Sequence, residues 1–98
     1  LDIAGAPGTE IIAPASGRVT FVGKRGPLGN SIVIDHGHGV RTQYGHNDQL
    51  FRKLGEAVAA GDVIGSVGDS GGNDQAALYF EVRRGRQPVN PEIWLQRR

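Results

Sequence analysis

Hydrophobic and polar positions alternate in short runs along most of this chain. Over residues 17–23, Val19 and Phe21 alternate with Arg18 and Thr20, the period of two that marks a half-buried strand. Residues 77–83 repeat the pattern, with Leu78, Phe80 and Val82 on one side and Ala77, Tyr79, Glu81 and Arg83 on the other. Residues 31–36 (Ser-Ile-Val-Ile-Asp-His) form a strong β run. A tight His36-Gly37-His38-Gly39 loop and the run 40–44 return it as a hairpin. Residues 8–14 predict a further short strand stopped by Pro14, and two apolar runs, around Val58 and around Val63-Ile64, lie between glycines. Residues 24–30 and 69–74 are mostly turn formers. Residues 47–53, with Leu50 and Phe51, predict one irregular helical turn, and another is expected after Pro91. No run reads as a long amphipathic helix. The fold class is therefore all-β, a small antiparallel sandwich or barrel with short hairpins.

Composition sharpens this picture. Ninety-eight residues suit one domain, taken as 1–98. Glycine supplies 16 of them, roughly twice the usual share of ~7%, in keeping with many turns between short strands. Without cysteine there is no disulfide framework and no thiolate metal site. Without methionine the chain is expected to be a C-terminal fragment or processed product of a longer one. A net charge of +1 gives no argument for nucleic acid. The apolar runs fall far short of the ~20 residues of a membrane span. A glycine–strand–alanine–glycine rhythm, in residues 8–17 and again in 55–61, is shared with biotinyl and lipoyl carriers. Those need a lysine at a hairpin tip, and neither Lys24 nor Lys53 sits in such a context.

Several short stretches succeed one another in a telling order. They are Leu1-Asp2-Ile3-Ala4 with Pro7-Gly8-Thr9, then Ala13-Pro14-Ala15-Ser16-Gly17-Arg18-Val19, then Ile34-Asp35-His36-Gly37 and Thr42-Gln43-Tyr44-Gly45-His46. Gly61-Asp62-Val63-Ile64-Gly65, Gly68-Asp69-Ser70-Gly71, Leu78-Tyr79-Phe80-Glu81-Val82-Arg83 and Val89-Asn90-Pro91 complete the series. In this order and spacing they resemble the LytM domain of lysostaphin-type zinc peptidases. The resemblance implies a LytM-type β-fold. It also implies a zinc site built from the His and Asp of a His-x-Gly-x-Asp motif and the second His of a His-x-His motif. The first His of that pair, and one after the Thr-x-Tyr strand, assist. Asp2 matches the metal Asp, whose partner His would precede Leu1, and His46 matches the assisting histidine. The His-x-His pair falls on Ala77 and Tyr79. Two residues i, i+2 on a strand point the same way, which is how two imidazoles reach one metal. Alanine has no donor atom, and a phenol with pKa near 10 replaces a neutral imidazole poorly. Catalytic zinc normally takes about three protein ligands. The chain is thus read as a degenerate, non-catalytic LytM domain with no metal and no cofactor, Asp2 being a relic ligand position.

The wording Leu78–Arg84, Gln87–Pro91 and Trp94-Leu95 is similar to the C-terminal domains of murein hydrolase activators. That likeness implies a periplasmic protein that activates cell-wall (N-acetylmuramoyl-L-alanine) amidases in septal peptidoglycan splitting. Upstream regions would meet the FtsE–FtsX division complex. No nucleic acid and no membrane span are expected for this segment. Tyr44, His46, Ala77, Tyr79, Glu81 and Arg83 are the expected partner-binding groove, with Thr42, Tyr44 and His46 sharing one side of their strand. His36 and His38 are expected to serve the loop. The cluster Arg83, Arg84, Arg86 and the tail Arg97-Arg98 either meet acidic partner surfaces or anionic polymers, or form a solvated face. Two other functions stay open: a zinc-dependent peptidoglycan endopeptidase, and a passive peptidoglycan-binding module.

Overall fold

The computed structural model describes residues 2–72 and 75–91, with Asp2 described by its backbone alone. The turn expected after Pro91, Trp94-Leu95 and Arg97-Arg98 lie outside the described residues. Among the described residues nine strands run in chain order: β1 Asp2–Ala4, β2 Glu10–Ile12, β3 Gly17–Lys24, β4 Asn30–Gly37, β5 Val40–Leu50, β6 Ala57–Val58, β7 Val63–Val67, β8 Ala77–Arg84 and β9 Gln87–Val89. Apart from the three-residue 3₁₀ turn Gly26–Leu28, the named elements are all strands. Their pairings are antiparallel, so the all-β expectation holds.

The backbone of the fold is the ladder β1-β8-β5-β4-β3-β6, with β9 beside β8 and β2 beside β7. The long strand β5 joins two parts of the molecule. Residues 40–45 pair with β8, while Asn47 and Leu50 pair with β7. A strand can change partners this way only if it bends, and β5 bends at His46, whose φ is +63°. The expected helical turn over 47–53 is therefore a correction. β7 offers an unpaired edge there, and the backbone takes those bonds up to Phe51 N–H on the Ile64 carbonyl at 3.0 Å.

One face of the ladder makes the core. Val19, Ile32, Ile34, Tyr44, Phe80 and Val82 pack there with Ile11 and Ile64. As the alternation in β8 predicts, Phe80 and Val82 are buried and Leu78 packs against the cluster. Burying each such side chain is worth about 1.5–3 kcal/mol. In β3 the simple alternation fails. The register shifts between Val19 and Phe21, so Val19 sits opposite Ile34 in the core while Phe21 sits opposite Val33 on the other face. A bulge adds one residue and reverses the phase of the rest of the strand.

Asn47 anchors the bend. It is fully buried, and its Nδ2 donates to the carbonyls of Asn30 (2.9 Å) and Tyr44 (3.0 Å). Asn30 reciprocates through its own Nδ2 to the Asn47 carbonyl at 3.2 Å. Ser70 Oγ donates to the same carbonyl at 2.6 Å and accepts the Asn30 N–H at 3.1 Å, tying the loop after β7 to the bend.

Candidate functional site

The face of the ladder away from the core carries three rows of side chains. Directly opposed residues share a face, so each row can be read from the register. The first row is Tyr79 over Gly45, with the Asp2 backbone paired opposite Tyr79. The second is Glu81, Gln43, Val33 and Phe21. The third is Arg83, Arg41, Asp35 and Arg18. Along β8 this places Tyr79, Glu81 and Arg83 at successive outward positions, as expected, and brings Asp2 opposite Tyr79.

These three side chains of β8 are linked. Tyr79 Oη donates to Glu81 Oε1 at 3.2 Å, and Arg83 Nε donates to Glu81 Oε2 at 2.6 Å. Both carboxylate oxygens are thus engaged. The second contact is a charge-assisted bond, but Arg83 is 45% exposed, so solvent screening keeps its contribution to stability small. Gly45 is the floor beneath Tyr79. A Cβ there would come within 3.3 Å of Tyr79 Cβ and 3.2 Å of Leu28 Cβ, so any side chain would push the wall apart.

His46 reaches this face through the left-handed bend. Its Nδ1–H donates to the Ser70 carbonyl at 2.7 Å, and its ring stands edge-on to Tyr79 with centroids 6.4 Å apart. At 7% exposure it props the tyrosine and offers little surface of its own. Ala77 is half-buried at the start of β8, opposite Ala4 and bridged to Gly68.

Tyr44 is not in the groove. It is 1% exposed and belongs to the core, tilted against Phe80 with ring centroids 5.4 Å apart. Thr42 and Tyr44 share the core side, and only the bend separates them from His46. The reason Tyr44 tolerates burial is a polar chain. Ser16 presents a carbonyl 2.8 Å from His36 Nδ1, so that nitrogen carries the proton. His36 Nε2 then accepts from Thr42 Oγ1 at 2.7 Å, and Thr42 accepts from Tyr44 Oη at 2.7 Å. Burial also holds the Tyr44 phenol well above its ordinary pKa, while the bond to Thr42 partly opposes that. His36 accordingly lies in β4 and braces the core, whereas His38 takes the turn with φ +54°.

Alternation in β5 also points to residues the sequence reading left out. Arg41 and Gln43 lie between Val40, Thr42 and Tyr44, and they line the groove with Arg25, Arg83 and Arg86. Arg84 is exposed, opposite Val40, outside this row.

Does this donor set suit zinc? Position 77 has no donor atom. The phenol at 79 is committed to Glu81. His46 has one ring nitrogen bound to a carbonyl. Among the described residues, no group of three His, Asp or Glu side chains converges. These residues do not fit the three-ligand set of a catalytic zinc.

The geometry is that of known proteins. The fold superimposes on the catalytic domain of lysostaphin from Staphylococcus simulans with a TM-score of 0.88 and 27% identity, covering 97% of this chain and 76% of that one. Peptidase family M23 matches residues 1–91, and the chain belongs to that family. It is 42% identical over 95 residues to the murein hydrolase activator EnvC of Escherichia coli strain K12, covering 97% of this chain and 23% of EnvC. It is 41% identical over 91 residues to the DD-carboxypeptidase/endopeptidase Mpg of Neisseria meningitidis serogroup B, covering 93% of this chain and 21% of Mpg. The chain thus spans under a quarter of each of these two relatives, one named an activator and the other a peptidase. Overall identity does not separate the two.

Proposed function

We propose that this chain is a non-catalytic LytM-type domain that activates a periplasmic cell-wall amidase by binding it through the outward face of β1, β8 and β5. One observation carries the reading. At the position where the family's resemblance calls for a metal histidine, the Tyr79 phenol is tied to Glu81 and flanked by Ala77. The likeness to EnvC supports the same direction. A groove with Ala77 and Tyr79 at the family's ligand positions, and an exposed Arg83 further along the same strand, is suited to recognition of another protein. Septal peptidoglycan splitting is the setting, and contact with the FtsE–FtsX division complex belongs to other parts of a longer chain.

Activation works by population shift. An amidase held shut by its own blocking segment opens if the activator binds the open form better. Moving it from about 1:99 to about 99:1 takes roughly 5.5 kcal/mol of differential binding.

The likeness to Mpg and lysostaphin keeps the peptidase reading testable. The purified full-length protein is incubated with labelled murein, with and without added zinc, and with and without the amidases of its source organism. Stimulation of an amidase, with no release of label by the protein alone, is the expected result. Stoichiometric zinc with cleavage by the protein alone would establish the peptidase. Binding to murein without stimulation of any of these amidases would reduce the chain to a passive wall-binding module.

A further inference from the structure

The groove continues beyond Tyr79 into a cavity of about 440 Å³ whose walls hold Arg25, Arg41, Arg83 and Arg86 around Gln43 and Glu81. Resting on the binding role proposed above, we infer that this end is an anion site that takes an acidic segment of the protein partner.

Four guanidinium groups converge from four places: just after β3, on β5, on β8 and in the turn between β8 and β9. Among the described residues, Glu81 is the single carboxylate in the cavity wall, and it is bound by Arg83 and Tyr79. Asp35 stands opposite Arg41 in the ladder but outside the cavity wall, and its Oδ1 accepts the Gly37 N–H at 2.8 Å. Two of the other arginines are oriented by neutral groups. Arg41 Nη2 donates to the Gly85 carbonyl at 3.1 Å, and Arg25 lies over the Phe21 ring, 4.9 Å from its centroid. Such contacts hold a guanidinium in place and leave its charge unneutralised. Among the described residues the cavity therefore gathers four positive charges against one negative, in a chain whose net charge is only +1. Like charges gathered in this way repel, and an anionic occupant relieves them.

The shape of the site indicates a protein segment. Tyr79 and Arg83 lie four residues apart on one strand, roughly 13 Å. Between them runs the row Glu81, Gln43 and Val33, with both Glu81 carboxylate oxygens already bonded to Tyr79 and Arg83. An occupant spanning this length meets an aromatic wall at one end and several fixed cations at the other. Guanidinium groups on separate elements call for several carboxylates spread along a chain, each able to accept a forked pair of bonds.

The test uses the full-length protein and a fluorescein-labelled octaglutamate peptide, monitored by anisotropy. Binding is expected in about 50 mM NaCl and should weaken about tenfold or more in about 300 mM NaCl, because the contacts are screened. Replacing Arg25, Arg41 and Arg86 together by Gln should weaken it at least about tenfold. The same three changed to Lys should keep the salt dependence, which shows that charge, and not a folding defect, is measured. No binding of octaglutamate by the unaltered protein, or equal binding by the Gln variant, overturns the inference. So does loss of binding to purified murein sacculi in the Gln variant while octaglutamate is still held. The two readings fail separately. An amidase left unstimulated by the unaltered protein, with octaglutamate still bound through the arginines, removes the activator role and keeps the site. Stimulation that survives alongside unchanged octaglutamate binding in the Gln variant removes the site and keeps the role.

Discussion

β8 presents two surfaces on alternate residues, and they obey different rules. Leu78, Phe80 and Val82 face inward, where shape and apolar area decide what is tolerated. Tyr79, Glu81 and Arg83 face outward, where they are bonded to one another across a half-open groove. The inward set holds the strand against β5, and the outward set uses the rigidity so obtained. Groove residues on a packed sheet are positioned without spending loop entropy, so their chemistry can change while the scaffold stays.

The sharpest way to break this comparison is to exchange the faces' tolerances. Phe80→Ala is expected to destabilise the protein by about 3–5 kcal/mol, since it opens a cavity beneath Tyr44. Arg83→Ala, three residues on, should stay within about 0.5 kcal/mol of the parent. Urea unfolding of both variants checks this, and similar losses for the two would mean that the outward face is also part of the core.

Asn47→Ala comes next, at about 1–3 kcal/mol. The variant leaves the Asn30 and Tyr44 carbonyls without their buried donor. It tests whether the bend in β5 is held by this amide. Thermal unfolding gives the stability, and a loss of partner binding beyond that explained by unfolding would show that the bend also sets the position of His46.

The strands were legible because glycine-rich turns punctuate them and because alternation is strict over 77–83. Phase was harder. At Thr20 a bulge reverses the alternation, and at His46 a left-handed residue does the same, so Phe21 and His46 face opposite to a simple count of two. Thr42 and Tyr44 look polar enough for a surface. In the core their hydroxyls satisfy each other and His36, an arrangement no single-strand pattern displays. The better guide was the residues between them, since Arg41 and Gln43 are costlier to bury. Asp2, Ala77 and Tyr79 were singled out by family resemblance, and the register of β1 and β8 sets Asp2 opposite Tyr79 and Ala4 opposite Ala77. Arg25 and Arg86 join the groove through turns, whose geometry no periodicity encodes.

On the outward face, Tyr79→Ala and Arg83→Glu are expected to weaken amidase binding by about tenfold or more, near 1.4 kcal/mol, with stability held within about 0.5 kcal/mol. Arg83→Glu also places a second carboxylate beside Glu81, so its effect should be the larger. Calorimetric titration measures both. Unchanged affinity in the two variants would move the interface off this face.

The smallest expected effect concerns the residue that changed faces. Tyr44→Phe removes one buried hydrogen bond to Thr42 and should cost about 1 kcal/mol at neutral pH. The phenol's pKa is raised by burial in the folded state, so the folded protein holds its proton more tightly than the unfolded chain does. Stability contributed by this group is therefore complete below the unfolded value near 10. It falls as pH rises past that, by up to about 1.4 kcal/mol per pH unit. Phenylalanine has no such proton, and every other group is the same in the two proteins. The gap between parent and Tyr44→Phe should thus narrow above about pH 10 and then reverse. A gap that stayed constant through this range would mean that the Tyr44 phenolate forms as easily folded as unfolded, which a side chain packed against Phe80 in the core does not permit.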